Sequence, residues 1–305
     1  MSRDTMTNGA QHILGRATVF ACIFCVLCAM ARGQTRQPDF TPNYGQPGGV
    51  SREKGREILN DFRARGIEGD YYFEFQLRMR QRNSSATIVT PGRLWGSRNA
   101  RGPVTRITLW PGEPDKELRL LVQNGPESAV WVDDGARQSE ATGDAASQGA
   151  AMFAPLAGTE LTPFEMQMPF VYWDDFIYEG IKAAASNRPA YTFVMRPPAA
   201  HAAARHGISG VRIFIETAFY AMGKFEVLGP GGKVIKTMTL KETPRINGQY
   251  IPGKVELRND ITRNATDLQV KLAAVRLELP REIFAPENLA KPVEPPPMET
   301  LWKAP

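Results

Sequence analysis

Two pairs of adjacent aspartates are the residues best suited to chemistry in this chain. Asp174 and Asp175 lie within an aromatic-rich stretch, LTPFEMQMPFVYWDDFIYEG, at residues 161–180. Paired carboxylates can act as general acid and base, but adjacent residues on a strand point to opposite faces. The favoured interpretation is a helix cap or lid anchor, because acids at a helix start accept hydrogen bonds from its free N–H groups. The other pair precedes Gly135 and predicts a tight turn.

Other arrangements that could support catalysis or metal binding are sparse. His201 and His206 lie in an alanine- and proline-rich loop without a neighbouring acid, and are interpreted as surface residues. The cysteines, Cys22, Cys25 and Cys28, all fall within an N-terminal apolar segment. The sequence has no spacing typical of a zinc site or of a serine-nucleophile elbow. We therefore expect no catalytic residue, no metal and no cofactor, and a protein that is not an enzyme.

The N-terminus has the layout of a secretory signal peptide. Arg16 precedes the apolar run ATVFACIFCVLCAMA, which ends in small residues. The run is short for a transmembrane helix, which needs about 20 apolar residues, although retention as an anchor stays an alternative. Residues 1–33 are predicted to be the signal peptide, and residues 34–50 a flexible leader rich in proline and glycine. The processed chain would leave the reducing compartment without any cysteine.

Charge does not favour a polyanionic partner. The chain has 37 basic and 32 acidic residues, and removal of residues 1–33 takes away three arginines and one aspartate, which leaves 34 and 31. Arg78, Arg80 and Arg82 alternate along one predicted strand. A site for single-stranded nucleic acid would need aromatic residues on the same face as these arginines. On this strand the aromatic side chains point to the opposite face. We expect no nucleic acid partner.

A single amphipathic helix precedes a long series of strands. Residues 51–65 predict that helix, with Ser51 as its N-cap and an apolar stripe at helical spacing. From Tyr71 onward the period becomes two, which indicates a strand with one buried face. About ten strands follow, with one or two short helices within residues 146–187. Because no strand–helix–strand alternation appears, the fold class is mainly β with a few α-helices: a large curled antiparallel sheet, or incomplete β-barrel, covered by helices.

The predicted inner face of this sheet is strongly apolar. The second strand places either Leu94 or Trp95 on it, and the third places either Leu109 or Trp110. A curled sheet of this size encloses more volume than one helix fills, so we expect an apolar ligand cavity with a flexible cover. The residues predicted to line this cavity and its cover are Phe73, Phe75, Leu77, Trp95, Trp110, Phe164, Met166, Met168, Phe170 and Trp173.

Four stretches share a pattern with one known family. They are VRIFIETAFYAMGKFEVLGPGGKVIKTMTLKE, INGQYIPGKVELRND, ATDLQVKLAAVRLELPREIFAPENL and PFVYWDDFIYEG. Together they resemble the outer-membrane lipoprotein-sorting proteins, the LolA-like carriers of Gram-negative bacteria. The first stretch looks like the family's central hairpin with its D/G-G-K-x-x-K motif, the next two look like its closing strands and terminal segment, and the last occupies the place of an aromatic–Asp segment. The resemblance covers roughly residues 51–290, which leaves residues 291–305 as a Pro-rich tail.

The resemblance implies an incomplete barrel with helices across its open mouth and a hydrophobic cavity. It implies a periplasmic carrier that binds lipoprotein acyl chains or phospholipid, with inner- or outer-membrane sorting proteins as further partners. The basic residue that latches the lid in this family could correspond to Arg78, Arg93 or Arg106. One alternative is an envelope regulator or scaffold with the same fold and a filled core. Another is a lipid hydrolase that uses Asp174 or Asp175.

Overall fold

The computed structural model describes residues 50–112, 117–135, 138–139, 145–184 and 187–304. The predicted signal peptide lies outside these residues, as does the predicted leader up to residue 49. None of the helices in this described part of the chain combines the length and the apolar character needed to cross a lipid bilayer.

The first element is the predicted amphipathic helix, α1 (Arg52–Ala64). Ser51 caps it, because its Oγ accepts a hydrogen bond from the Lys54 N–H at 3.1 Å. Capping satisfies one of the N–H groups that the first helical turn leaves unpaired. The apolar stripe, which includes Ile58 and Phe62, is fully buried. The helix therefore begins and ends close to the predicted bounds.

Fourteen of the described strands form one antiparallel sheet, and β12 and β13 form a separate hairpin. The strands are β1 (Asp70–Arg80), β2 (Thr87–Asn99), β3 (Gly102–Leu109), β4 (Leu118–Gln123), β5 (Ala129–Asp133), β6 (Gln138–Ser139), β7 (Phe176–Ala183), β8 (Pro189–Met195), β9 (Gly210–Glu216), β10 (Met222–Leu228), β11 (Val234–Glu242), β12 (Arg245–Ile246), β13 (Gln249–Tyr250), β14 (Lys254–Asn259), β15 (Ala265–Leu277) and β16 (Trp302–Lys303). The predicted fold class, mainly β with a large antiparallel sheet, is confirmed. The number of strands exceeds the predicted ten, partly because several are only two residues long.

The sheet consists of two meanders joined at one seam. Its order is β6-β5-β4-β3-β2-β1-β15-β14-β11-β10-β9-β8-β7, with β16 beside β15. The seam is the pairing of β1 with β15, which runs from Asp70 opposite Leu277 to Arg80 opposite Ala265. Among the described strands, β6 and β7 are the two edges and do not pair with each other, so the sheet is not closed into a barrel.

One face of the sheet is concave and holds the main hydrophobic core. Leu120 of β4, Phe193 of β8 and Val270 of β15 belong to the same buried cluster as Phe62 of α1. Strands that are far apart in the sheet order share this core. The sheet must therefore curl around the helix, as the strong right-handed twist of a large antiparallel sheet favours.

A segment that we call the cover, residues 145–173, closes the concave face. Its short helix α3 begins with a capping box, in which the Glu165 carboxylate accepts a hydrogen bond from the Thr162 N–H at 2.9 Å. Met168 ends α3 in the left-handed conformation, with φ of 51°. The elements of the cover are α2 (Ala145–Phe153), a 3-10 turn at Leu156–Gly158, α3 (Pro163–Gln167) and a 3-10 turn at Pro169–Tyr172. The short helices predicted within residues 146–187 are thus present, and a one-turn helix, α4 (Ala202–Arg205), lies between β8 and β9.

The convex face is closed by residues 280–304, which we call the C-terminal strap. The strap's Phe284, Leu289 and Leu301 are buried in a second apolar cluster with side chains from the convex side of the sheet. This strap includes almost all of the segment predicted to be a Pro-rich tail. Its proline-rich sequence has no helical or strand period, and so its buried residues could not be recognised from spacing. The sheet residues of the cluster are Tyr72, Trp95, Val104, Leu121 and Ala274.

Arg106 holds the strap in place from within the convex cluster. Its side chain is only 1% exposed. The guanidinium donates hydrogen bonds to main-chain oxygens of Ile283 at 3.0 Å, Asn288 at 3.1 Å and Leu289 at 2.8 Å, and also to that of Lys291. Burial, and then the charge of Arg119 nearby, lower the pKa of Arg106 to about 10. The guanidinium therefore replaces its lost water with carbonyl groups of the strap.

Candidate functional site

Most of the predicted cavity residues lie together where the cover meets the concave face. Phe164 and Phe170 of the cover have ring centroids 5.6 Å apart, and Phe170 meets Phe225 of β10 edge-on at 4.9 Å. Edge-to-face contacts of this kind are favoured between buried aromatic rings. The structure thus joins the cover to the sheet through a continuous apolar interface. The predicted residues in this core are Phe73, Phe75, Leu77, Phe164, Met166, Met168, Phe170 and Trp173.

Two predicted cavity residues lie elsewhere. Trp95 belongs to the convex cluster, and its neighbour Leu94 faces the concave core. Trp110 follows the end of β3, where its Nε1 donates a hydrogen bond to Glu117 Oε1 at 3.1 Å, and Leu109 faces the core instead. Both strands are apolar on both faces at these positions. Alternation alone therefore could not show which residue of each pair faces inward.

A small apolar cavity remains between the cover and the sheet. Its volume is about 30 Å³, room for about one or two water-sized groups. Three of its walls are methionine side chains, which are flexible enough to adapt to apolar groups of different shape. The lining residues are Leu161, Glu165, Met166 and Met168 of the cover and Met238, Val255, Leu257, Thr266 and Leu268 of the sheet.

A buried ion pair fixes the cover beside this cavity. Lys236 of β11 donates from Nζ to Glu165 Oε1 at 2.9 Å and to the main-chain oxygen of Glu160 at 2.8 Å. The Glu165 side chain is 3% exposed. Its other oxygen accepts the capping hydrogen bond of α3. A buried carboxylate needs such partners, because an unpaired charge in an apolar interior is strongly disfavoured.

The Glu160 carboxylate ties the same end of the cover to the β14–β15 hairpin. It accepts hydrogen bonds from Asn259 Nδ2 at 2.6 Å, Asn264 Nδ2 at 2.8 Å and Thr262 Oγ1 at 2.9 Å. Burial raises the pKa of Glu160, but these three hydrogen bonds and the nearby charge of Lys236 outweigh it and hold the pKa below its ordinary value. The charged form is the one that fastens the cover.

An arginine of α1 fastens the other end of the cover. Arg63 donates to the main-chain oxygens of Val171 at 2.8 Å and Trp173 at 3.2 Å, and its guanidinium lies 5.7 Å from the centre of the Tyr172 ring. Burial lowers the pKa of Arg63, with the charge of Asp174 acting in the opposite direction. The position of Arg63 in the sequence gave no signal, because an arginine in an amphipathic helix resembles any solvent-facing residue.

The three arginines that the family resemblance offered as lid latches lie on the convex side of the sheet, away from the cover. Arg78 is exposed on the convex face, and Arg93 pairs with Glu74 at 3.1 Å. Arg106 holds the C-terminal strap and not the cover. The latching contacts come instead from Arg63 and Lys236. Lys236 binds Glu165, and this glutamate also belongs to the T-x-x-E capping box of α3. That short motif is the part of the arrangement that is recognisable in the sequence.

Asp174 and Asp175 do not cap a helix. They lie between the last turn of the cover and β7, and both are exposed. The Asp175 carboxylate is 4.0 Å from the Arg52 guanidinium and 3.9 Å from that of Arg196, while the Asp174 main-chain oxygen accepts from Arg52 at 3.0 Å. The prediction of a helix cap is wrong because the chain enters a strand here. The pair does link the end of the cover to α1.

The histidines pack on aromatic rings and are not simple surface residues. His201 Nδ1 accepts a hydrogen bond from the Ala203 N–H at 3.1 Å, and its ring meets Trp173 edge-on at 5.3 Å. His206 is exposed but stacks on Phe153 at 4.2 Å. Burial, and then the charge of Arg205, lower the pKa of His201. Within the described ranges, no group of three or more His, Cys, Asp or Glu side chains is arranged to hold a metal ion.

Comparison with known proteins bears on the fold. A family model described as an uncharacterized protein matches residues 151–291. No protein of curated function matches the chain.

Three solved structures are similar over most of this chain. A DUF1329 family protein from Desulfovibrio piger has a TM-score of 0.64 at 12% identity. A domain described as an outer membrane lipoprotein-sorting protein, from Vibrio parahaemolyticus, has a TM-score of 0.63 at 15% identity. A LolA superfamily protein from Nitrosomonas europaea has a TM-score of 0.51 at 12% identity. Each alignment covers 78% of this chain and 98% of the other. At these identities the likeness concerns the fold, and the chain therefore has the LolA-like fold that its sequence patterns predicted.

Proposed function

We propose that this protein is a non-enzymatic periplasmic carrier, which binds acyl chains of lipoproteins or lipids in its apolar interior for sorting to the outer membrane. The observation that carries the proposal is the methionine-lined cavity between the cover and the concave face. Met166 and Met168 of the cover face Met238 of β11 across it. The similarity in fold to a lipoprotein-sorting domain and to a LolA superfamily protein supports the same function.

Binding of an acyl chain requires the cover to move. The cavity of about 30 Å³ is far smaller than a fatty acyl chain. Transfer of the chain from water contributes about 0.8 kcal/mol for each methylene buried. This gain accumulates along the chain and can offset the loss of the contacts that Lys236 and Arg63 make with the cover. A carrier must also release its cargo, and a cover held by a few polar contacts at its two ends suits both steps.

A second candidate function follows from the same small volume. If the cover never leaves the concave face, the core is filled, and the protein acts as an envelope regulator or scaffold through its surface. Partner sorting proteins of the inner or outer membrane would then contact the outside of the molecule. The two functions differ in one observable property, which is whether the interior takes up acyl chains.

The deciding experiment measures acyl binding and its dependence on Met238. Organic extracts of the purified protein are analysed by mass spectrometry, and a fluorescent fatty acid is titrated into it. We expect co-purifying lipid and saturable probe binding, because the cover can open over the cavity. Met238→Trp fills the cavity and should weaken probe binding by about tenfold or more, the equivalent of two buried methylenes.

The matched control is Met298→Trp, the same substitution at an exposed methionine of the strap. It should leave probe binding unchanged. Thermal melts of both variants show whether each is folded. A clean extract together with an absence of probe binding to the folded protein would exclude the carrier function and leave the filled-core module.

A further inference from the structure

Two hairpin tips lie side by side at one end of the sheet. The first, residues 81–86, joins β1 to β2, and the second, residues 260–264, joins β14 to β15. They are neighbours because β1 pairs with β15 along its whole length. The Arg82 N–H also donates a hydrogen bond to Asn264 Oδ1 at 3.1 Å, which links the two turns directly. We call them the paired tips.

Large apolar side chains are exposed at and beside the paired tips. Ile261 is 67% exposed, which makes it the most exposed of the large apolar side chains in the described ranges. Ile88 and Val89, close behind the first tip in β2, are 44% and 43% exposed. Because successive residues of a strand alternate, these two cover both faces of the hairpin end. One exposed apolar side chain is common in soluble proteins, but three at one end of a sheet indicate an apolar partner.

The same end of the sheet carries exposed arginines whose side chains form no ion pair with any described residue. They are Arg78, Arg82 and Arg263. Carboxylates nearby are occupied by other arginines. Asp260 pairs with Arg258 at 2.7 Å, and Asp267, which lies opposite Arg78 in the sheet, pairs with Arg80 at 3.2 Å. Although the charge of the whole chain is nearly balanced, this end therefore presents three guanidinium groups to an anion.

The second of the paired tips also holds the cover. Thr262 and Asn264 donate to the Glu160 carboxylate at 2.9 Å and 2.8 Å, while Ile261 between them and the first tip points to solvent. Leu257, near the end of β14, lines the methionine-lined cavity. A partner that binds the paired tips from outside would therefore lie beside the attachment of the cover.

We propose that the paired tips bind the surface of an anionic phospholipid bilayer, with Ile261 and Ile88 in its apolar boundary and the arginines on lipid phosphates. Arginine suits phosphate because its planar fork donates two parallel hydrogen bonds. Interfacial binding combines burial of apolar side chains with attraction to anionic lipids, and each arginine near such a surface favours binding by about fivefold. The inference goes beyond the proposed function, which names a ligand for the interior and no surface that meets a membrane.

The test measures cosedimentation of the protein with two kinds of vesicle. One is phosphatidylcholine alone, and the other is phosphatidylcholine and phosphatidylglycerol in equal parts. We expect binding to the anionic vesicles that weakens with added salt, and much weaker binding to phosphatidylcholine. Arg82→Gln/Arg263→Gln should weaken binding to the anionic vesicles by about tenfold or more. Ile88→Ser/Ile261→Ser should weaken it by about tenfold, the equivalent of two buried methylenes.

Two matched controls should bind as the wild-type protein does. Arg56→Gln/Arg245→Gln removes two exposed arginines of α1 and β12, and Ile177→Ser removes an exposed isoleucine of β7. Thermal melts show whether each variant is folded.

Three outcomes would overturn the docking surface. An equal loss in the control arginine variant would assign binding to overall charge, and equal binding to both kinds of vesicle would exclude recognition of anionic headgroups. If the folded wild-type protein binds neither vesicle, the paired tips do not meet a membrane and are left as a surface for a protein. Uptake of the fluorescent fatty acid is measured separately, so the carrier function can stand or fail independently.

Discussion

The cover and the C-terminal strap each close one face of the same sheet, but different contacts hold them in place. The strap is held by one buried guanidinium that donates to main-chain oxygens, and by the pairing of β16 with β15. The cover is held by side-chain pairs such as Lys236 with Glu165, and by two hydrogen bonds from Arg63. The convex cluster has aromatic and aliphatic walls, whereas three methionines surround the gap beneath the cover.

Under the proposed carrier function, this difference indicates which face opens. Main-chain oxygens cannot change partner without displacing the strap itself. The Lys236 side chain is 18% exposed, so its ammonium can exchange partners with water when the cover moves. Methionines can repack around a guest. The convex face is therefore the fixed support, and the concave face is the adaptable one. The predictions that follow test this distinction, beginning with the largest expected effect.

Replacing Arg106 should detach the strap. Arg106→Leu leaves several main-chain oxygens buried without donors, and we expect the free energy of unfolding to fall by about 3–5 kcal/mol. Urea denaturation measures this loss, and limited proteolysis should release the C-terminal segment first. Arg78→Leu, at an exposed position on the same face, serves as the matched control and should change little. Equal effects of the two substitutions would show that the strap does not depend on Arg106.

Removing Lys236 should loosen the cover. Lys236→Met leaves the Glu165 carboxylate buried without its cation, and we expect a loss of about 3 kcal/mol in the free energy of unfolding. Hydrogen exchange should rise in residues 156–173 and stay unchanged in the strap. The double variant Lys236→Met/Glu165→Leu removes both charges and should recover most of the stability. Hydrogen exchange that rises equally in the cover and in the strap would contradict their separate attachment to the sheet.

A smaller, pH-dependent effect should arise at His201. Its folded-state pKa is lowered below 6.5, first by burial and then by Arg205, so the unfolded chain binds the proton more readily. The associated stability is present above pH 6.5 and is lost as the pH falls through the lowered pKa. Tryptophan fluorescence, which reports Trp173 beside the imidazole, should therefore change in this range. His201→Gln should abolish the change, and His206→Gln should retain it; the reverse result would assign the titration to the other histidine.

The sequence predicted the sheet, α1 and most of the apolar core, because period-two and helical patterns mark a face that is buried on one side only. Phe73, Phe75 and Leu77 follow from that alternation. The same alternation could not place Trp95, because both faces of β2 are buried there, one by the core and the other by the strap. Polar contacts such as that of Lys236 with Glu160 join residues far apart in the chain. Local spacing in the sequence does not predict which of these residues meet. The strap escaped detection because proline-rich segments pack without a period.

The seam between β1 and β15 constrains how the chain reaches this structure. Their paired residues are between 185 and 207 positions apart, whereas the two meanders on either side of the seam consist of local hairpins. Contacts this distant in sequence close slowly, because a long loop must be ordered before they form. During synthesis, the exposed edge of β1 must wait until β15 has emerged. We therefore expect the pairing of these two strands to be the rate-limiting step of folding, and a chain truncated before β15 to aggregate through the waiting edge.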